Sequence, residues 1–129
     1  MNIPESLRYT QTHEWVADNA DGTVSIGITA VATDQLGELV YVKLPEPGKS
    51  FKRGEAIAVV ESTKAASDVY APVSGTVIAA NSSLDEQPGE VNKDPYGAGW
   101  LFKLKVSDTG ELDELLGARA YRESSAEQH

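Results

Sequence analysis

Short strand-forming segments, each ended by glycine, proline or an Asp/Asn turn, are the feature that most constrains the fold of this chain. Residues 23–28 (TVSIGI) alternate polar and apolar side chains, which is typical of a strand with one buried face. Residues 18–22 (DNADG) and 44–48 (LPEPG) are turn sequences that stop a strand. Further strands are predicted over residues 39–42, 56–61, 66–70, 75–80 and 100–106. The pattern therefore predicts a mainly β fold.

Two segments favour short helices instead of strands. Residues 30–36 follow Thr29, a good N-cap, and are stopped by Gly37. A second helical stretch is predicted near residues 111–123, whereas residues 124–129 are small and polar and are predicted to fray. A chain of 129 residues is most naturally a single domain with its own core.

The charge and the rare residues exclude several classes of function. The chain has 11 Lys plus Arg against 20 Asp plus Glu, a net charge of −9, which opposes binding to nucleic acid or to anionic lipid. It has no Cys and only two His, so a thiolate or multi-histidine metal site cannot be built, and we predict no metal. The first ten residues lack the apolar stretch of a secretory signal, and we expect a cytoplasmic protein.

One lysine stands between two predicted strands. Lys64 is surrounded by Ser, Thr and Ala, with the carboxylates of Glu61 and Asp68 on either side. Taken alone, this pattern is that of an ordinary surface lysine on a hairpin. A lysine held out by rigid flanks, with small neighbours, is also what a modifying enzyme needs.

Four stretches of the sequence together resemble one family. Residues 61–75 (ESTKAASDVYAPVSG) look like the lipoylation motif of the glycine cleavage system H protein. Residues 12–15 (THEW), 27–45 and 91–101 (VNKDPYGAGWL) are similar to its other signatures, in the same order. The resemblance runs from about residue 7 to residue 121. Its departures are small: Thr63 stands where this family more often has Val before the lysine, and Gln35 lies at a variable helix position.

The resemblance implies a lipoyl-domain-like β-barrel sandwich, a barrel-sandwich hybrid, forming one lipoyl-type carrier domain over residues 1–129. Lipoate would be amide-linked to Lys64 and would carry an aminomethyl group between glycine decarboxylase and aminomethyltransferase. Dihydrolipoamide dehydrogenase would reoxidise it, and lipoate-attaching enzymes would install it. The chain itself would not be an enzyme. We expect a monomer of bacterial type in the cytoplasm.

The resemblance also implies further site residues. Glu61 and Asp68 are predicted to be recognised by the enzyme that modifies Lys64. The loaded arm is expected to fold back into a cleft on the protein surface, where Glu14 and Asp68 would receive its ammonium. The residues predicted to form this cleft are Thr12, Glu14, Ile28 and Leu36.

Other carriers share parts of this pattern. A biotin carrier normally has Met on both sides of its lysine, whereas Lys64 is flanked by Thr63 and Ala65. A lipoyl domain of a 2-oxo-acid dehydrogenase belongs to a longer chain with Pro/Ala linkers. An H-like carrier of sulfur oxidation or of lipoate relay stays open, and so does an unmodified β-domain that binds a partner through the hairpin.

Overall fold

Within residues 3–127, which the computed structural model describes, the chain forms nine strands in two antiparallel sheets. In chain order the strands are β1 (Arg8–Tyr9), β2 (Glu14–Asp18), β3 (Thr23–Ile28), β4 (Leu39–Lys43), β5 (Ser50–Phe51), β6 (Ala56–Ser62), β7 (Ala66–Tyr70), β8 (Gly75–Ala80) and β9 (Phe102–Val106). The larger sheet has the order β1-β2-β3-β9-β8-β5, and the smaller has the order β4-β6-β7. The predicted mainly β fold of two packed sheets is confirmed.

The helices are short and lie between strands or at the end of the chain. They are α1 (Ala30–Leu36), α2 (Glu90–Lys93) and α3 (Ala118–Glu127), with 3₁₀ turns at Ser82–Asp85 and Thr109–Glu114. The predicted helical stretch near residues 111–123 is thus divided between a 3₁₀ turn and α3. None of the helices within the described range is long and apolar enough to cross a membrane.

Helix α3 runs further than the sequence predicted. Residues 124–127, which were assigned to a frayed tail, continue the helix, and residues 128–129 lie outside the described part of the chain. The segment before the tail is anchored, because Tyr121 is fully buried and the Arg122 guanidinium donates to the carbonyl oxygen of Ile3 at 3.1 Å. Residues 124–127 therefore continue a helix whose preceding turn is held in place.

The local signals at α1 act as predicted. The Thr29 hydroxyl accepts a hydrogen bond from the Ala32 N–H at 3.4 Å, which caps the first turn. At the other end Gly37 adopts φ +82°, a conformation that favours glycine, and its N–H donates to the carbonyl of Thr33 at 2.9 Å. The helix is therefore limited to two turns between β3 and β4.

The main core lies between the sheets and is built from the inward faces of their strands. Val24 and Ile26 of β3, Leu104 of β9 and Val60 of β6 are essentially inaccessible to solvent. A second apolar cluster, centred on Tyr9, Trp15, Val31 and Tyr121, lies beneath α3. The C-terminal helix is thus packed against the beginning of the larger sheet.

A close approach between β2 and β3 fixes the position of Trp15. Trp15 is opposite Gly27 in the strand register, and a Cβ on Gly27 would lie 2.7 Å from atoms of the indole ring. The indole N–H donates to the carbonyl of Pro95 at 2.8 Å, so the ring cannot easily move away. Only glycine leaves room for the indole at this pair.

We predict that Gly27→Ala lowers the free energy of unfolding by about 1–3 kcal/mol, because the added methyl group overpacks the buried indole. Urea unfolding followed by tryptophan fluorescence measures the change. Gly117→Ala is the matched control, since a Cβ there meets no atom within 4 Å. Equal unfolding midpoints for the two variants would contradict this account.

Candidate functional site

The predicted lysine lies at the tip of the hairpin formed by β6 and β7. The strands pair in register up to Glu61 and Ala66. Ser62 closes the turn: its N–H donates to the carbonyl of Ala65 at 2.8 Å, and its hydroxyl accepts from the N–H groups of Lys64 and Ala65 at 3.3 and 3.2 Å. The hairpin therefore holds the backbone of Lys64 in one place.

The side chain of Lys64 is exposed and lies back toward α1. Its Cε atom is 3.4 Å, and its Nζ atom 3.8 Å, from the position that a Cβ on Gly37 would occupy. Because Gly37 has no side chain, the methylene stem of Lys64 can rest on its backbone. The amine of Lys64 is accessible to an enzyme, and its stem points toward the end of α1.

A small cleft opens beside the hairpin. Its volume is about 70 Å³. It brings together five residues that the sequence analysis predicted to lie near one another, namely Thr12, Glu14, Ile28, Leu36 and Asp68. Glu61 and Lys64 do not line it; both belong to the hairpin above, where Glu61 is half-buried.

Three parts of the fold form the walls of this cleft. The end of the turn at residues 10–13 and the start of β2 form one wall, α1 forms another through Ala32 and Leu36, and β6 and β7 form the third. Glu14 is opposite Ile28 in the β2–β3 register. The polar residue that begins β2 therefore lies next to the apolar residue that ends β3.

Glu14 is the buried charged group of the cleft, with 1% of its surface exposed. Its Oε1 accepts hydrogen bonds from the hydroxyls of Thr10 and Thr12, and its Oε2 accepts from the N–H of Tyr70 at 3.3 Å. Burial raises the pKa of Glu14 above 4.5, and these hydrogen bonds partly oppose that rise. Within residues 3–127 it forms no salt bridge, so the carboxylate has no cationic partner there.

Glu14 also borders a wider groove of about 580 Å³. The lining of this groove includes Tyr70 and the ion pair of Arg53 with Glu114, whose charged atoms are 2.8 Å apart. No residue between 61 and 69 contributes to it. We therefore take the smaller cleft, which adjoins the hairpin, as the candidate functional site.

Several residues of the site were not predicted from the sequence. Thr10 was not predicted to contact Glu14, although the alternation of Thr10, Thr12 and Glu14 along the sequence could have indicated this contact. The remaining lining residues were also missed: His13, Ala32, Gln35, Val60, Ser67 and Val69. Among the described residues no group of three or more His, Asp or Glu is placed to hold a metal ion.

Comparisons with known proteins agree on one family. Residues 7–128 match the family described as Glycine cleavage H-protein. The chain is similar to the glycine cleavage system H proteins of Thermus thermophilus, at 54% identity over 95% of both chains, and of Idiomarina loihiensis, at 52% identity over 95% of both. It is also similar to the crystal structure of a glycine cleavage system H protein from Mycobacterium marinum, with a TM-score of 0.88, 42% identity, and 96% and 99% of the two chains covered.

The burial of Glu14 predicts a specific dependence of stability on pH. Since burial raises its pKa, the folded protein binds a proton at Glu14 more tightly than the unfolded chain does. The resulting stabilisation is complete below pH 4.5, the ordinary value, and is lost as the pH rises through the higher folded-state pKa. Glu14→Gln, which cannot titrate, should therefore gain stability relative to the parent across that range, by about 1.4 kcal/mol for each pKa unit of the rise.

Urea unfolding of parent and Glu14→Gln at a series of pH values measures this difference. Thr12→Val should extend the loss of stability to higher pH, because it removes a hydroxyl that stabilises the charged carboxylate and so raises the pKa of Glu14 further. Thr12→Ser keeps the hydroxyl and is the matched control. If the free energy of unfolding varies with pH in the same way for the parent and Glu14→Gln, the burial argument is refuted.

Proposed function

Because the chain belongs to the glycine cleavage H-protein family, we propose that Lys64 is the residue that carries its lipoate. Membership supports the role of a lipoyl carrier in glycine cleavage. The observation that carries the assignment to Lys64 is an exposed amine on a closed β-turn beside a cleft that contains a buried carboxylate.

The hairpin has the properties that an attached lipoyl group requires. The amine of Lys64 is a primary amine on the surface, and its neighbours Thr63 and Ala65 are small, so an attaching enzyme can surround it. When bound, lipoate supplies a disulfide that takes up electrons and an aminomethyl group. The half-buried Glu61 and the exposed Asp68 lie on the two strands that flank the turn. In these positions the attaching enzyme can recognise both carboxylates.

We propose that the cleft shelters the cationic end of the loaded arm. A volume of about 70 Å³ suits a group of a few heavy atoms. The carboxylate of Glu14 can accept hydrogen bonds from an ammonium, and the hydroxyls of Thr10 and Thr12 hold it in position. Ile28 and Leu36 form an apolar wall that limits the access of water. Asp68 supplies a second carboxylate at the exposed side of the cleft.

The predicted partners follow from the same role. We propose that the chain, as a monomer, docks in turn on glycine decarboxylase, aminomethyltransferase and dihydrolipoamide dehydrogenase, and that it has no catalytic activity of its own. An arm on a docked carrier reaches effective concentrations on the order of mM, which favours transfer over release into solution. A cytoplasmic location stays a prediction.

We predict that Lys64→Arg abolishes lipoylation, because a guanidinium cannot form the amide. Intact-mass measurement after expression with lipoate detects the modification, and glycine–bicarbonate exchange in the presence of glycine decarboxylase measures the carrier role. Lys49→Arg, another exposed lysine, is the matched control and should remain fully modified. A lipoylated Lys64→Arg protein would overturn the assignment.

Glu14→Ala should remain a substrate for lipoylation, but the loaded protein should release ammonia faster than the parent, because the carboxylate no longer holds the ammonium in the cleft. Glu14→Gln keeps the shape and loses the charge, so its release rate should lie between those of the parent and Glu14→Ala. Glu46→Ala removes an exposed carboxylate outside the cleft and serves as control. Equal release rates for all four proteins would remove Glu14 from the site.

A further inference from the structure

Tyr121 of α3 connects two walls of the cleft through its hydroxyl. The Tyr121 Oη atom lies 2.6 Å from Nδ1 of His13 and 2.6 Å from Oγ1 of Thr29, both within hydrogen-bond distance. Its side chain is fully buried. One hydroxyl from the C-terminal helix therefore contacts two segments that are distant from it in sequence.

Each of these two contacts leads directly to the cleft. His13 stands between Thr12 and Glu14, and all three line the cleft. His13 adopts φ +73°, a backbone conformation that is uncommon for a residue other than glycine, so this turn depends on contacts that hold it. Thr29 caps α1, which forms the facing wall, and its N–H donates to the carbonyl of His13 at 3.0 Å.

We propose that Tyr121 is a positioning residue, whose hydroxyl holds the turn that carries Thr12 and Glu14 against the N-terminus of α1. The inference rests on the proposed function of the cleft. Tyr121 does not itself line the cleft; it acts through His13, which does, and through Thr29. The C-terminal helix then determines how well the cleft is closed.

A purely structural role for Tyr121 would depend on its ring instead of its hydroxyl. The ring stacks on Tyr9, with centroids 4.7 Å apart and an angle of 12° between the planes. Tyr9 is equally buried, but its hydroxyl donates to the carbonyl of Pro4 and does not contact His13 or Thr29. Tyr121→Phe and Tyr9→Phe therefore remove one buried hydroxyl each from the same stack, and only the first touches the cleft walls.

Hydrogen exchange on the unmodified chain distinguishes the two roles. Two amides report on the cleft: that of Thr29, which donates to His13, and that of Tyr70, which donates to Glu14. We expect Tyr121→Phe to accelerate the exchange of both by at least about fivefold relative to core amides such as that of Leu104, which corresponds to the loss of one net hydrogen bond. Tyr9→Phe should not change this ratio.

The lipoylated variants provide the second measurement. Tyr121→Phe should release ammonia from the loaded protein faster than Tyr9→Phe does. If both variants change the Thr29 and Tyr70 amides alike, or if Tyr121→Phe accelerates all amides equally, the positioning role is overturned. Should Tyr121→Phe fail to fold, His13→Gly removes the same contact from its other end, since glycine adopts the left-handed backbone of this position without strain and has no side chain to reach Tyr121.

The experiment separates this inference from the proposed function. Exchange is measured on a chain without lipoate, so its result does not depend on whether Lys64 is modified. An unmodified Lys64 after expression with lipoate would overturn the carrier role and leave the exchange result standing. Unchanged exchange at Thr29 and Tyr70 in a lipoylatable Tyr121→Phe protein would overturn the inference alone.

Discussion

The strongest physical constraint on the site is a carboxylate, that of Glu14, which is kept out of water without a cationic partner in the described chain. An ionised group that is buried and unpaired is costly, and proteins tolerate it where hydrogen bonds or a ligand compensate. Glu14 accepts hydrogen bonds from two hydroxyls and one backbone N–H. Both of its oxygens are therefore hydrogen-bonded, whereas no cationic side chain of the described residues neutralises its charge. The strand that begins with Glu14, the turn before it and the helix facing it all line the cleft that contains this carboxylate.

The hairpin and the cleft place two opposite environments close together. At the tip, Ser62 uses its side chain and its backbone to close the turn, and Lys64 is left in solvent. Beside it, Glu14 is withdrawn from solvent at the beginning of β2. A carrier needs both, because the attachment point has to be reached by other enzymes while the cargo has to be kept from water. The two environments are joined at Tyr70 of β7, whose N–H donates to Oε2 of Glu14 at 3.3 Å and so links the hairpin to β2.

Local signals predicted the parts of this fold that depend on neighbouring residues. Helix α1 begins after Thr29 and ends before Gly37, as the capping chemistry of these two residues predicts. The small residues around Lys64 indicated an exposed turn. The residues of the cleft came from family resemblance, because Thr12, Ile28 and Asp68 share no local pattern. Tyr121 was not predicted at all: its contacts to His13 and Thr29 span 108 and 92 positions, and periodicity carries no information over such separations.

The four stretches that carry the family resemblance meet in space, which explains why they occur together. Asn92 donates to the carbonyl of Gly37 and accepts the N–H of Leu39, both at 2.9 Å, so the C-terminal signature holds the backbone on which the stem of Lys64 rests. Further along the same segment, the carbonyl of Pro95 accepts the indole N–H of Trp15, at 2.8 Å. The segment thus fastens the central and N-terminal signatures beside the lysine motif. None of these motifs can build the cleft alone, because each supplies one wall or the contact that holds another wall in place.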